Sequence, residues 1–220
     1  MWTKICGIRS VDDAQHAVHC GASAIGLNFH SPSPRCVSVD DGLHISGAVA
    51  DSIETVGVFV NETTTEIARI VDEVGLDTIQ LHGDEPPSVI GELRSRLPGT
   101  KVIRGWRVGS EGLAPLVDYL GTCVQTCGAP DAVLIDARVD GVWGGSGRTA
   151  PWQLVRDGYD RSRWPALILA GGLTPNNVAQ AIHAVAPSGV DTASGVETSS
   201  GVKDAKLVRA FIAAARSVDG

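Results

Sequence analysis

The sequence predicts an α/β chain folded as a single (β/α)8 (TIM-type) barrel domain over residues 1–220, with parallel strands. Three observations carry that prediction. Short apolar runs alternate with helical patterns along the whole chain, the order expected of a parallel sheet with crossover helices. The alternation repeats often enough for eight strand–helix units of about 27 residues each, close to the lean limit for such barrels. No linker, low-complexity tract or composition shift divides the repeats. Hydrophobic residues make up 43% of the chain, enough for a sizeable core.

The elements follow in order. Residues 3–6 read as a short strand closed by Gly7. Ser10, followed by Asp12 and Asp13, caps a helix whose inner face is Val11, Ala14 and Val18, and Gly21 ends it. Ala24–Asn28 is the second strand, followed by a Pro- and Ser-rich loop over residues 30–35. Residues 39–49 give a weaker helical pattern, thinned by Gly42 and Gly47. Strand three covers residues 55–60. Thr63 and Glu66 then cap an amphipathic helix facing inward with Ile67, Ile70, Val71 and Val74. Residues 78–81 and 101–106 are strands four and five, with helices over 86–97 and around 113–120. Ala132–Asp136 is strand six. The Gly-rich loop after it, residues 137–150, exceeds the usual connection of about two to six residues and hints at function. A helix around residues 152–155 leads to strand seven. Leu207, Val208, Phe211, Ile212 and Ala215 mark a closing helix.

The rest of the chain is organised around residues 166–197. The first apolar run there, Ala166–Ala170, breaks at Gly171-Gly172, and Thr174-Pro175 reads as an N-cap with proline at the first helical position. The second, Gly189–Thr192, breaks at Ala193-Ser194-Gly195. Small residues just past a buried strand let backbone N–H groups approach a ligand, and a nearby helix N-terminus favours an anion. Turn-making would explain either break alone. Their recurrence one βαβ unit apart predicts a two-sided phosphate cradle of Gly171, Gly172, Ser194 and Gly195, after strands seven and eight where such barrels place it.

Charge and composition exclude other classes. A net charge of -7 leaves no basic surface for nucleic acid or an anionic membrane. A phosphorylated small-molecule substrate must then be held by local backbone dipoles. No apolar run approaches the roughly 18 to 20 residues of a membrane span, and the N-terminus lacks the apolar core of a signal peptide. The five cysteines read as free thiols of a cytoplasmic protein. Cys123 and Cys127 have no second Cys or His pair near them in sequence, so zinc is not expected. Oligomeric state is open between monomer and homodimer.

In a barrel, chemistry sits at the last residue of each strand and in the loop after it. Those places hold Cys6, Asn28, Arg35, Asn61, His82, Arg104 or Arg107, and Asp136. Each has a structural alternative: Cys6 as a small buried hydrophobe, Asp136 as a cap or ion-pair partner, His82 as a satisfied core histidine, Arg35 as a solvated loop charge. Together they put a thiol, a carboxylate, an imidazole and a guanidinium on one rim, opposite the cradle. That set suits acid–base chemistry on a phosphorylated, carboxylated metabolite.

Residues 4–8 (KICGI), 26–29 (GLNF), 33–35 (SPR), 56–61 (VGVFVN) and 80–85 (QLHGDE) resemble motifs of phosphoribosylanthranilate isomerase. So do residues 134–137 (LIDA), 144–147 (GGSG), 169–173 (LAGGL), Asn177-Val178, 191–197 (DTASGVE) and 201–204 (GVKD). The resemblance covers nearly the whole chain, in order. The glycine motifs are individually weak; the KICG and QLHG motifs together are specific. It implies a cofactor-free, metal-free isomerase of tryptophan biosynthesis. The implied reaction is the Amadori rearrangement of N-(5-phospho-β-D-ribosyl)anthranilate to 1-(2-carboxyphenylamino)-1-deoxy-D-ribulose 5-phosphate.

The resemblance also assigns roles: Cys6 as general base, Asp136 as general acid, Arg35 on the anthranilate carboxylate, and Gly171, Gly172, Ser194 and Gly195 on the phosphate. His82 would shape the pocket or hydrogen-bond substrate. The chain departs from the pattern at Cys36, where the family has Tyr, at Ser146 in the GGSG loop, at Ala150-Pro151-Trp152, where an acid is missing, and at Ala193, where a Ser is usual. The related isomerase of histidine biosynthesis carries Asp in place of Cys6 and takes a substrate with two phosphates, so the Cys and the single cradle argue against it. A non-catalytic phosphosugar-binding barrel would have no use for both Cys6 and Asp136.

Overall fold

The structure, a computed structural model, describes residues 1–109, 111–136 and 150–218. Eight parallel strands close into a barrel: β1 (Trp2–Cys6), β2 (Ala24–Asn28), β3 (Glu54–Phe59), β4 (Thr78–Leu81), β5 (Lys101–Arg107), β6 (Ala132–Asp136), β7 (Ala166–Ala170) and β8 (Gly189–Thr192). The seam is the pairing of β8 with β1, where Lys4 stands beside Asp191. Helices alternate with the strands around the outside: α1 (Val11–Cys20), α2 (Val39–Ala48), α3 (Thr64–Val74), α4 (Pro87–Arg96), α5 (Ala114–Thr126), α6 (Ala150–Gly158), α7 (Val178–Val185) and α8 (Ala205–Arg216). A short antiparallel ribbon, β9 (Glu197–Ser199) with β10 (Val202–Lys203), lies between β8 and α8. The (β/α)8 prediction is met. The GGSG loop over residues 144–147 lies outside the described residues.

Local chemistry explains the element ends. Ser10 accepts from the Asp13 amide at 3.1 Å and Thr63 from the Glu66 amide at 3.2 Å, the N-caps read from sequence. Gly21 ends α1 at a φ of 84°, which only glycine adopts cheaply. The doubtful α2 forms because Ser38 caps it at 3.0 Å and Gly42 admits the Phe29 ring: a Cβ there would stand 3.1 Å from that ring. Helix α5 runs on to Thr126, past the 113–120 expected. One expectation fails. Thr174-Pro175 does not open α7, which starts at Val178. Asn177 Oδ1 accepts from the Thr174 amide at 2.8 Å, stabilising a separate turn first, and Asn177 Nδ2 donates to the Gly172 carbonyl at 3.1 Å.

Two cores result. The larger lies between strands and helices. The smaller fills the barrel with Ala24, Val56, Ile103, Leu134, Ile168 and Ala170. Alternation along β1 turns Trp2, Lys4 and Cys6 to the same face, so a lysine enters the barrel at mid-depth.

A buried ion pair ties down the loops after β3 and β4. Arg104 donates to Glu85 at 3.0 Å and to the Leu81 and Gly83 carbonyls at 3.0 and 2.8 Å. Glu85 in turn accepts from the Asn61 and Gly83 amides at 2.8 and 2.9 Å. Trp106 and Tyr119 flank the guanidinium, their ring centroids 5.3 and 5.1 Å away. Removing one partner strands the other charge inside the protein. Arg104→Met should therefore lower the unfolding free energy by about 3–5 kcal/mol in a urea titration. A loss under about 1 kcal/mol would reduce the pair to the standing of a surface bridge.

Candidate active site

A polar cavity of about 230 Å³ opens among the C-terminal strand ends. All eight site residues read from the sequence line it: Cys6, Arg35, His82, Asp136, Gly171, Gly172, Ser194 and Gly195. Of the other rim candidates, Asn28 and Arg107 line it as well. Asn61 and Arg104 do not: they are engaged in the buried loop network around Glu85. A larger, mostly apolar groove of about 670 Å³ runs outside the barrel between α4 and α5, lined by Pro87, Glu92 and Thr122 among others. None of its lining residues is a barrel-strand residue or a candidate catalytic group.

Cys6 is the last residue of β1, paired in register with Gly26. Gly26 must be glycine for space. A Cβ there would stand 2.8 Å from Cys6 Sγ and 3.2 Å from Lys4 Cε. Asp136 closes β6 across the barrel, in register with Arg107 on one side and Ala170 on the other. Sequence reasoning missed the pair below them. Lys4, 0% exposed, donates to Asp191 Oδ1 at 2.7 Å, and Asp191 lines the cavity. The available signal was a lysine two residues before Cys6 in an otherwise uncharged strand.

Arg35 is not a free fork. Its Nε and Nη2 donate to the two Glu197 oxygens at 2.8 and 2.7 Å, so that edge is filled by the protein itself. Glu197 Oε1 also accepts from Lys203 Nζ at 2.7 Å, and Lys203 donates to the Ala193 carbonyl at 3.0 Å. Burial raises the proton affinity of Glu197, but the hydrogen bonds from Arg35 and Lys203 outweigh it and hold its pKa below the usual value. Burial likewise draws Lys203 down, only partly offset by Glu197. The carboxylate thus fixes the guanidinium and leaves its Nη1–Nη2 edge for another partner.

His82 follows β4, and with Gln80 Nε2 as donor its Nδ1 accepts at 3.0 Å, which puts the ring proton on Nε2. Burial, then Arg107 and Lys4, lower its pKa, so the ring is neutral at neutral pH. The ring fits because residue 105 is glycine: a Cβ there would come within 2.2 Å of Nδ1.

The two glycine loops meet. Thr192 Oγ1 donates to the Leu173 carbonyl at 2.7 Å, and a Cβ on Gly195 would stand 1.8 Å from that same oxygen. Gly195 is therefore required by close approach of the loops. Gly172 has a φ of 65°, and a Cβ there would meet nothing within 4 Å. The predicted cradle loops form one wall of the cavity, with Ser194–Val196 as a 3₁₀ turn at its edge.

The family model described as N-(5'phosphoribosyl)anthranilate (PRA) isomerase matches residues 3–214. The N-(5'-phosphoribosyl)anthranilate isomerase of Rubrobacter xylanophilus is 40% identical over 215 residues, covering 97% of this chain and 98% of that protein. The crystal structure of phosphoribosyl anthranilate isomerase from Thermotoga maritima superposes with a TM-score of 0.83 at 35% identity, covering 99% of each chain. A phosphoribosyl anthranilate isomerase in complex with reduced 1-(o-carboxyphenylamino)-1-deoxyribulose 5-phosphate gives 0.81 at 33% identity, again over 99% of each chain. The chain belongs to the N-(5'-phosphoribosyl)anthranilate isomerase family.

Proposed function

We propose that this aldose–ketose isomerase converts N-(5-phospho-β-D-ribosyl)anthranilate to 1-(2-carboxyphenylamino)-1-deoxy-D-ribulose 5-phosphate, with Asp136 as general acid and Cys6 as general base. The observation that carries the reading is one cavity lined by a thiol and a carboxylate on β1 and β6, with a glycine-lined wall across β7 and β8. As the furanose opens, Asp136 gives its proton to the ring oxygen and the C1–N bond becomes a protonated imine. Cys6 as thiolate removes the C2 proton, and the electron pair moves into the imine to leave an enolamine. Proton return to C1 and loss of the enol proton give the ketone. The imine is the electron sink, so the scheme needs no metal or cofactor.

The phosphate sits against Gly171, Gly172, Ser194 and Gly195, gripped by backbone N–H groups. Arg35 takes the anthranilate carboxylate on its Nη1–Nη2 edge, since Glu197 holds the other. Neutral His82 hydrogen-bonds substrate and moves no proton. Five free thiols suit a reducing compartment and support the cytoplasm as its location. Among the described residues no helix is long and apolar enough to cross a membrane.

Asp136→Asn and Cys6→Ala should each lower turnover roughly 10²- to 10⁴-fold, about 3–5 kcal/mol of barrier, with unchanged unfolding midpoints. Near-normal turnover in either folded variant, followed by loss of substrate fluorescence, removes that residue from the scheme. Arg35→Ala should weaken a carboxylate-bearing product analogue far more than one without the carboxylate. Equal losses for both ligands would move the carboxylate elsewhere. Inorganic phosphate, titrated by calorimetry, should bind Cys6→Ala like wild type and Gly172→Ala more weakly. The left-handed backbone at residue 172 adds about 1–2 kcal/mol of strain in that variant, so its folded fraction is measured in parallel. Unchanged phosphate affinity in folded Gly172→Ala reduces the glycine to a turn residue.

A further inference from the structure

Lys4 is a charge that the proposed chemistry leaves unused. It enters the barrel from β1 two residues before Cys6, on the same face, and is 0% exposed. One ion pair fixes its end, and the space above Gly26 places it near the sulfur. Its Nζ donates to Asp191 Oδ1 at 2.7 Å across the β1–β8 seam. Its Cε and the Cys6 sulfur flank the same empty point above Gly26, 3.2 and 2.8 Å away.

We propose that Lys4 is a positioning residue: pinned by Asp191 beneath the cavity floor, its ammonium lies against Cys6 and favours that sulfur as thiolate for the proton abstraction. The inference rests on the functional reading above, in which Cys6 is the base. Burial alone disfavours a charged lysine, yet Asp191 and then Cys6 overcome it and leave the Lys4 pKa above its ordinary value. Because Lys4 is fully buried, solvent screens its ammonium little on that side of the sulfur.

Other charges also face Cys6, and their geometry sets Lys4 apart. Arg35 from the β2–α2 loop and Lys203 from β10 also act on the sulfur and, like Lys4, each is bonded to a carboxylate, but only Lys4 shares a strand and a strand face with Cys6. Arg35 is also partly exposed, at 22% of its side chain, and is screened by solvent. His82 is neutral, and Asp136, Arg107 and Asp191 complete the charged lining. A carboxylate on the opposite wall opposes a thiolate, which increases the need for a cation on the sulfur's own strand.

The test needs no substrate. Alkylation of Cys6 by iodoacetamide, followed by mass spectrometry of its peptide against pH, reports the thiolate directly. Lys4→Met should slow the reaction about tenfold at neutral pH. Rates should converge at high pH, where the thiol is ionised in both proteins. In turnover the variant should lose kcat with little change in KM, because Lys4 is not among the residues lining the cavity.

Should Lys4→Met fail to fold with Asp191 left unpaired, Asp191→Asn and the double variant Lys4→Met/Asp191→Asn isolate the same effect. The double variant should titrate higher than Asp191→Asn alone. Superimposable profiles, in the folded single variant or in this pair, would overturn the proposal. A difference in alkylation between wild type and Lys4→Met, with no isomerisation by wild type, would overturn the functional reading instead, since alkylation is independent of it.

Discussion

The β1–β8 seam, with Lys4 beside Asp191, is the constraint on which the rest of the molecule depends. A closed parallel barrel has no exposed edge, and at this seam closure brings a lysine and an aspartate into a largely apolar interior. Neither charge survives there alone. Desolvation penalises each by several kcal/mol, and only the short contact between them makes burial tolerable. Replacing such a pair with hydrophobes often costs nothing in stability. A pair kept under a candidate catalytic sulfur is therefore better explained by chemistry than by folding energy.

The same arrangement recurs around the mouth. Arg104 with Glu85 fixes the loops after β3 and β4, Arg35 and Lys203 share Glu197, and Asn177 laces the loop after β7. Each of these cations carries a carboxylate that holds it in place, and Arg35 among them reaches the cavity with little freedom left. Glycine does the complementary work by removing atoms: Gly26 for the Cys6 sulfur, Gly105 for the His82 ring, Gly195 for the Leu173 carbonyl. The site is preorganised by ion pairs where groups must be gripped and by missing side chains where they must pass.

Periodicity made the barrel legible. The α3 face of Ile67, Ile70, Val71 and Val74 is buried as its spacing required, and Cys6 and Asp136 fall on strand ends where barrel logic put them. What stayed hidden depended on partners distant in sequence. Arg35 read as an open fork because Glu197 lies 162 residues away, and the Lys4–Asp191 pair spans 187. Thr174-Pro175 misled for a local reason, since the competing turn is stabilised by the Asn177 side chain, which propensity rules do not weigh. Nor could the sequence choose between Arg104 and Arg107: the two lie three apart on β5, so strand alternation sends them to opposite faces.

Closure of the seam also sets an order in time. β1 is made before the other barrel strands, and its pairing with β8 must wait for all of them. Contacts of such separation form late, since a long loop must close before they are gained. Until then the Lys4 ammonium has no Asp191, and Cys6 sits at the end of a strand with one neighbour. Cys6 therefore enters its charged surroundings only when the last strand docks, so the cavity is assembled by completion of the fold.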